Sequence, residues 1–353
     1  MRVHHLPRRG AGPSVIAVTI AAITVAALAA APGAASAADS EPPGDDSLTS
    51  IAVTRISGAD RYDLAVQIAK QAKPAGADVV YVASGAAFPD ALSAGPAAVR
   101  EHGALLLTAP DALPTAVQGE LAALHPRRIV VVGGAASVTD ATYAAISATV
   151  PSATISRVAG ADRYEVSIAL ATNAFPRGGV LGAFLATGRN FPDALSAGAA
   201  AGATGSPVVL IDGLLPGVDI PTMRLLDGLG ASSVALIGGT TSVVPEVESS
   251  LKLRKSVTRV AGADRYQVSM NINDLVSFDF STVYLATGSN FPDALAGGVL
   301  AGTKKAPLYV VPPDCVPAHV LAQLSAEGTR SVVLLGGSSS LTDALYTLPS
   351  CGW

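Results

Sequence analysis

Residues 56–65 read ISGADRYDLA, and the string returns as VAGADRYEVS at 158–167 and VAGADRYQVS at 260–269. Arg55, Arg157 and Arg259, immediately before the three copies, stand 102 residues apart both times. A second string, FPDAL, begins at Phe88, Phe191 and Phe291. A third signal is an apolar run ending in Gly133-Gly134, Gly238-Gly239 or Gly336-Gly337, with Ser137, Ser242 or Ser340 three residues beyond. Order and spacing hold in every copy, so the chain is a threefold repeat. The units, 50–153, 154–255 and 256–353, are each the size of a small domain rather than of a solenoid repeat.

Inside one unit the hydrophobic period alternates. The pattern predicts a strand near Thr54-Arg55-Ile56, a helix from Arg61 to Lys70, a buried strand at DVVYVAS (78–84) and a small-residue helix at PDALSAGPAAV (89–99). It continues with a strand at ALLLT, an amphipathic helix at PTAVQGELAAL, a strand at RIVVVGG and a closing helix at TDATYAAI. Strands of nearly continuous Val, Ile and Leu between helices imply a parallel sheet covered on both faces. The predicted fold class is α/β, with three tandem Rossmann-like parallel-sheet domains.

The flanks differ in composition. Arg2, Arg8 and Arg9 precede an apolar stretch over 15–31 and then Ala35-Ser36-Ala37, which predicts a secretory signal peptide over 1–37, cleaved before Ala38, with an uncleaved membrane anchor as the rival reading. A short acidic leader follows over 38–49. Removing three Arg and no acid leaves 20 Lys and Arg against 27 Asp and Glu, a net charge near −7, which argues against a nucleic-acid partner. No second long apolar run predicts a membrane span after signal removal. Cys315 and Cys351 are the only cysteines, and in an exported domain they are expected to pair, contributing about 3 kcal/mol by loop closure.

The chemistry of the repeated strings is mostly structural. Gly58 permits a sharp turn, and Asp60, like Asp162 and Asp264, can accept from the free amides of the helix that follows. Asp63, Glu165 and Gln267, three residues on, suggest a capping box. Capping does not account for Arg61-Tyr62, Arg163-Tyr164 or Arg265-Tyr266, which either join the units or hold an anionic ligand. The FPDAL aspartates, Asp90, Asp193 and Asp293, sit where a strand hands over to a helix. That is the usual ligand crevice of an open α/β sheet, and equally a place for another N-cap.

Catalytic readings lack their residues. Ser93 and Ser196 become Ala296 in the third copy, and His102, His125 and His319 fall at unrelated places, so neither a repeated triad nor a repeated metal site is expected. Without Gly-x-Gly-x-x-Gly, no cofactor is expected either. The paired glycines read as turns at a close approach.

Taken together, the R-x-x-G-x-D-R-Y opening, the FPDAL string and the late Gly-Gly resemble the cell wall binding repeat 2 family of Gram-positive bacteria. The resemblance implies three domains around a pseudo-threefold axis in a monomeric, exported protein. Such repeats usually accompany a separate effector domain, an amidase, protease or adhesin; as the residues ahead of the repeats are only a short acidic leader, a non-enzymatic protein is expected here. It would be held non-covalently at the cell wall by an anionic polysaccharide or teichoic-type polymer. It carries over to Arg55, Asp60, Arg61, Tyr62, Phe88, Pro89, Asp90, Gly133, Gly134 and their counterparts. Local basic pairs, Arg127-Arg128, Arg254-Lys255 and Lys304-Lys305, are candidates to offset the net negative charge. A wall hydrolase or accessory factor with one active unit, and a surface-layer or adhesive component, are the alternatives.

Overall fold

The computed structural model describes residues 48–351; the segment expected to be a signal peptide and nearly all of the leader lie outside them. Unit 1 comprises β1 (Ala52–Ile56), α1 (Arg61–Ala72), β2 (Val79–Ser84), α2 (Pro89–Arg100), β3 (Ala104–Thr108), α3 (Thr115–Ala123), β4 (Arg128–Val132) and α4 (Asp140–Thr149). Unit 2 repeats the order with β5 (Thr154–Val158), α5 (Arg163–Ala174), β6 (Gly182–Thr187), α6 (Pro192–Thr204), β7 (Val208–Ile211), α7 (Ile220–Leu229), β8 (Ser233–Ile237) and α8 (Pro245–Lys252). Unit 3 has β9 (Ser256–Val260), α9 (Arg265–Asn273), β10 (Thr282–Thr287), α10 (Pro292–Lys304), β11 (Leu308–Val311), α11 (Ala318–Ala326) and β12 (Ser331–Leu335). A 3-10 turn, Asp343–Thr347, replaces its fourth helix.

The strands form three four-stranded parallel sheets, ordered β3-β2-β4-β5, β7-β6-β8-β9 and β11-β10-β12-β1. The opening strand of each sequence unit therefore lies in the sheet of the unit before it. β1 lies beside β12, Ala52 opposite Ser331 and Ile56 opposite Leu335, so the first strand closes the last sheet. The composition permits this exchange. β2, β3 and β4 are almost wholly buried, whereas β1, β5 and β9 alternate exposed and half-buried residues, as sheet edges do.

Helices α2, α6 and α10 meet at the pseudo-threefold axis. They are dominated by Ala and Gly, and in α10 every residue from Pro292 to Gly302 is buried, as expected of a helix without a polar face. Glycine is needed there for close approach: a Cβ on Gly302 would stand 3.3 Å from the Cα of Gly202 and 3.3 Å from the Ala199 carbonyl oxygen. At the other end of the chain, Cys315 and Cys351 form a disulfide with Cα atoms 5.0 Å apart, and the Cys351 amide donates to the Val316 carbonyl at 2.9 Å. The bridge ties the last described residue to the segment just before α11.

Candidate functional site

The conserved order of the three strings brings them together where one unit meets the next. Asp60, Asp162 and Asp264 are N-caps, each accepting from the two amides that follow the first helical residue, at 2.8–2.9 Å. The reciprocal half of the box is displaced by one residue. Asp63, Glu165 and Gln267 accept from the amides of Ala59, Ala161 and Ala263, the residues before the caps. Gly58 has ordinary backbone angles; a Cβ there would stand 2.2 Å from the Leu64 nitrogen, so close approach to α1 is what requires glycine.

Arg55, Arg157 and Arg259 reach into the preceding unit. Arg157 Nη1 donates to the carbonyls of Gly133 at 3.0 Å and Val138 at 2.8 Å. Arg259 makes the equivalent pair with Gly238 and Val243, both at 2.9 Å. Arg55 grips Gly336 and Leu341 at the end of the chain, both at 2.9 Å, with its guanidinium 5.3 Å from the Tyr346 ring. These arginines are joints.

The FPDAL phenylalanines meet on the axis. The ring centroids of Phe88, Phe191 and Phe291 are 5.7–5.9 Å apart, two pairs tilted and Phe88–Phe291 edge-on. The motif arginines surround them: Arg61 lies 5.8 Å from Phe291, Arg163 5.8 Å from Phe88 and Arg265 5.7 Å from Phe191, each on the ring of the preceding unit. Each is also anchored at home, donating to the carbonyl of Gly85, Gly188 or Gly288. Tyr62, Tyr164 and Tyr266 pack on the same glycines, where a Cβ would stand 2.7 Å from the tyrosine ring.

Asp90, Asp193 and Asp293 do not cap their helices, contrary to one of the sequence expectations: the N-cap residues are Phe88, Phe191 and Phe291, without a side-chain bond. Proline takes the first helical position, so each aspartate is the second residue of its helix, past the place from which a cap acts. The aspartates instead face the Gly-Gly turns. Ser137 Oγ donates to Asp90 at 2.6 Å, and Ser242 and Ser340 stand at the same place beside Asp193 and Asp293, at Gly238 and Gly336. Gly133, Gly238 and Gly336 have positive φ, and their Cβ atoms would fall 2.3–2.6 Å from these carboxylates; Gly134 and Gly239 have no neighbour within 4 Å, and Gly337 none nearer than 3.9 Å. Gly238→Ala is accordingly expected to cost about 2 kcal/mol or more and Gly239→Ala less than about 0.5, read from denaturant midpoints. Equal losses would contradict this assignment.

Between units 1 and 2 these parts line an open groove of about 320 Å³, with Pro89, Asp90 and Ser137 on one wall and Gly160, Asp162 and Arg163 on the other. Burial raises the pKa of Asp193 and Asp293, opposed by the neighbouring serine hydroxyls and by the charges of Arg265 and Arg61 respectively. A carboxylate whose folded pKa is raised contributes stability that is present below the ordinary value of 3.8 and lost as pH rises through the folded value. Asp193→Asn with Asp293→Asn is therefore expected to raise the melting temperature at neutral pH. That gain should shrink as pH falls to about 4; a gain that persists there would contradict the sign.

The other sequence candidates disperse. Ser93 Oγ donates to Ser167 Oγ at 2.9 Å across the unit 1–unit 2 contact, and Ser196 donates to the Pro192 carbonyl at 3.2 Å. Among the described residues no group of three or more His, Cys, Asp and Glu is placed to hold a metal. The basic pairs Arg127-Arg128 and Arg254-Lys255 are engaged by Asp78, Glu101 and Asp227. Sequence reasoning missed the Asp–Ser–Gly contact, although all three residue types recur in register.

The chain belongs to the cell wall binding domain 2 family, which it matches over residues 55–143, 157–248 and 259–346. It is 28% identical over 298 residues to the N-acetylmuramoyl-L-alanine amidase LytC of Bacillus subtilis, covering 84% of this chain and 58% of that protein. It is 29% identical over 294 residues to the amidase enhancer of the same organism, covering 83% of this chain and 39% of the relative. Among solved structures it resembles Cwp6 of Clostridium difficile, with a TM-score of 0.76 and 25% identity over 85% of this chain and 48% of Cwp6. It likewise resembles Cwp8, with a TM-score of 0.74 and 25% identity over 84% and 51%. The chain thus spans roughly two fifths to three fifths of these relatives. The family and these wall-protein relatives support association with the cell wall or cell surface.

Proposed function

We propose that this chain, as a member of that family, is an exported, non-enzymatic protein that holds an anionic wall glycopolymer in the grooves between its units. The observation that carries this reading is the threefold set of arginines. Arg61, Arg163 and Arg265 are each fixed by one backbone carbonyl and one neighbouring ring, and each is only half-buried. A positioned guanidinium offers paired donors to phosphate or carboxylate. Three equivalently placed arginines on one molecule let a polymer strand engage several sites at once, which raises avidity above that of a single site. The hydroxyls of Ser93 and Ser196 are committed to other partners, which supports a binding role over a hydrolytic one.

The test uses two sets of variants with opposite expected signs. Arg61→Gln, Arg163→Gln and Arg265→Gln together are expected to weaken co-sedimentation with purified walls at least tenfold. Asp90→Asn, Asp193→Asn and Asp293→Asn, which remove the negative charge beside the same arginines, are expected to strengthen it. Both sets weakening binding in proportion to lost stability would overturn the reading. Release of soluble wall fragments by the parent chain would favour the hydrolase alternative.

A further inference from the structure

The grooves and the phenylalanine cluster lie at the carboxyl ends of the strands. The opposite pole, where the strands begin and the helices end, has a different character. Arg100 closes α2, Lys304 and Lys305 close α10, and Lys73 follows α1, which packs on α10. The Arg100 guanidinium reaches to the end of α6, where a Cβ on Gly205 would stand 3.6 Å from it. Burial and then the charge of Lys304 lower the pKa of Lys73.

Of the three basic pairs noted in the sequence, Lys304-Lys305 alone has no acidic partner among the described residues. The nearby acids are engaged: Asp78 with Arg127, Glu101 with Arg128 and Tyr81, and Asp279 with Ser281 and the charge of Arg330. Lys305 also occupies a left-handed backbone conformation, φ 53°, which glycine holds at the matching position in unit 2 (Gly205, φ 64°). Cations at helix ends complement the helix dipole, which explains their sign. It does not explain an apolar surface beside them.

That surface begins next to Gly205. Thr204 and Ser206 line a cleft of about 330 Å³ together with Leu181, Phe184, Val234 and Leu275. Leu181 is 87% exposed, and Leu253, in the turn leading to β9, is 83% exposed. Both stand at the feet of the unit 2 strands. Another exposed apolar group, Leu214, Leu215 and Ile220, lies at the carboxyl-end pole beside Asp212 and Asp219, where an anionic surface would be repelled.

We infer that the amino-end pole is a docking surface for a membrane bearing anionic lipid headgroups, with Leu181 and Leu253 entering the interface and Lys73, Arg100, Lys304 and Lys305 facing the phosphates. Cations without an acidic partner among the described residues, on the same pole as projecting leucines, match that partner in both charge and polarity. A soluble polyanion would leave the leucines in water. Such docking turns the groove-bearing pole away from the membrane, toward the wall. Among the described residues no helix is long and apolar enough to cross a membrane, so the contact is peripheral.

The test is flotation of the chain from Ala38 onward with vesicles of phosphatidylglycerol and phosphatidylcholine at roughly 1:2, and with phosphatidylcholine alone. Starting at Ala38 leaves out the apolar stretch over 15–31, which partitions by itself, and all three sheets close within residues 48–351. Binding is expected only to the anionic vesicles. Lys73→Gln, Arg100→Gln, Lys304→Gln and Lys305→Gln together should weaken it roughly 100-fold or more, at about fivefold per charge. Leu181→Ser with Leu253→Ser should weaken it roughly tenfold while leaving the melting temperature unchanged. No binding to anionic vesicles would overturn the inference. Binding that ignores the leucines, or that soluble polyphosphate reproduces with the same lysine dependence, would overturn it in favour of a polyanion site.

Discussion

A chain beginning at Ser57, without β1, is expected to melt about 10 °C or more below the parent. β1 contributes little core by itself, since its residues are at most half-buried. Its loss nevertheless uncovers β12, leaves the Gly336 amide without the Ile56 carbonyl and removes the Arg55 grip on Gly336 and Leu341. Several ladder bonds, at about 1 kcal/mol each net, and a part-buried charged group with its partners make a loss of several kcal/mol. Because unit 3 packs on both other units through α10, the whole ring should soften with it. Appending residues 48–56 after the C-terminus through a flexible linker of about 15 residues, spanning roughly 20 Å, is expected to restore most of the melting temperature. A truncated chain that melts with the parent would show that the ring does not depend on its first strand.

The second large effect is expected at the axis. Phe191→Ala removes two ring contacts at 5.7 and 5.9 Å and the face on which Arg265 rests. Half-buried, Phe191 should cost about 3 kcal/mol, read as a shift in denaturant midpoint at constant slope. Phe191→Leu keeps most of the apolar area and loses the ring edges, so a cost of about 1 kcal/mol is expected. Equal costs for the two would mean that aromatic geometry contributes nothing to the joint.

The periodicity of residues 50–153 was enough to place α1, β2, α2, β3, α3 and β4 within a few residues, because buried strands and small-residue helices differ in composition as well as period. Asp60 was legible as a cap because capping is local. The partners of Arg55, Arg157 and Arg259 were not, since an edge strand such as TISRV carries no mark of which sheet it joins. Asp90 misled for a related reason. Its position after a strand suits a cap, but the phenylalanine before Pro89 takes the cap position, and the serine that meets the carboxylate lies 47 residues further on. The recurrence of Ser137, Ser242 and Ser340 held that information, but only the topology shows which aspartate each one meets.

The central claim, that the units grip an anionic wall polymer, is tested most directly by co-sedimentation of the chain from Ala38 onward with walls before and after chemical removal of their secondary glycopolymer. The account predicts binding to intact walls, loss of at least nine tenths of it on stripped walls, and restoration of free protein when the extracted polymer is added as competitor. Equal binding to intact and stripped walls would contradict it.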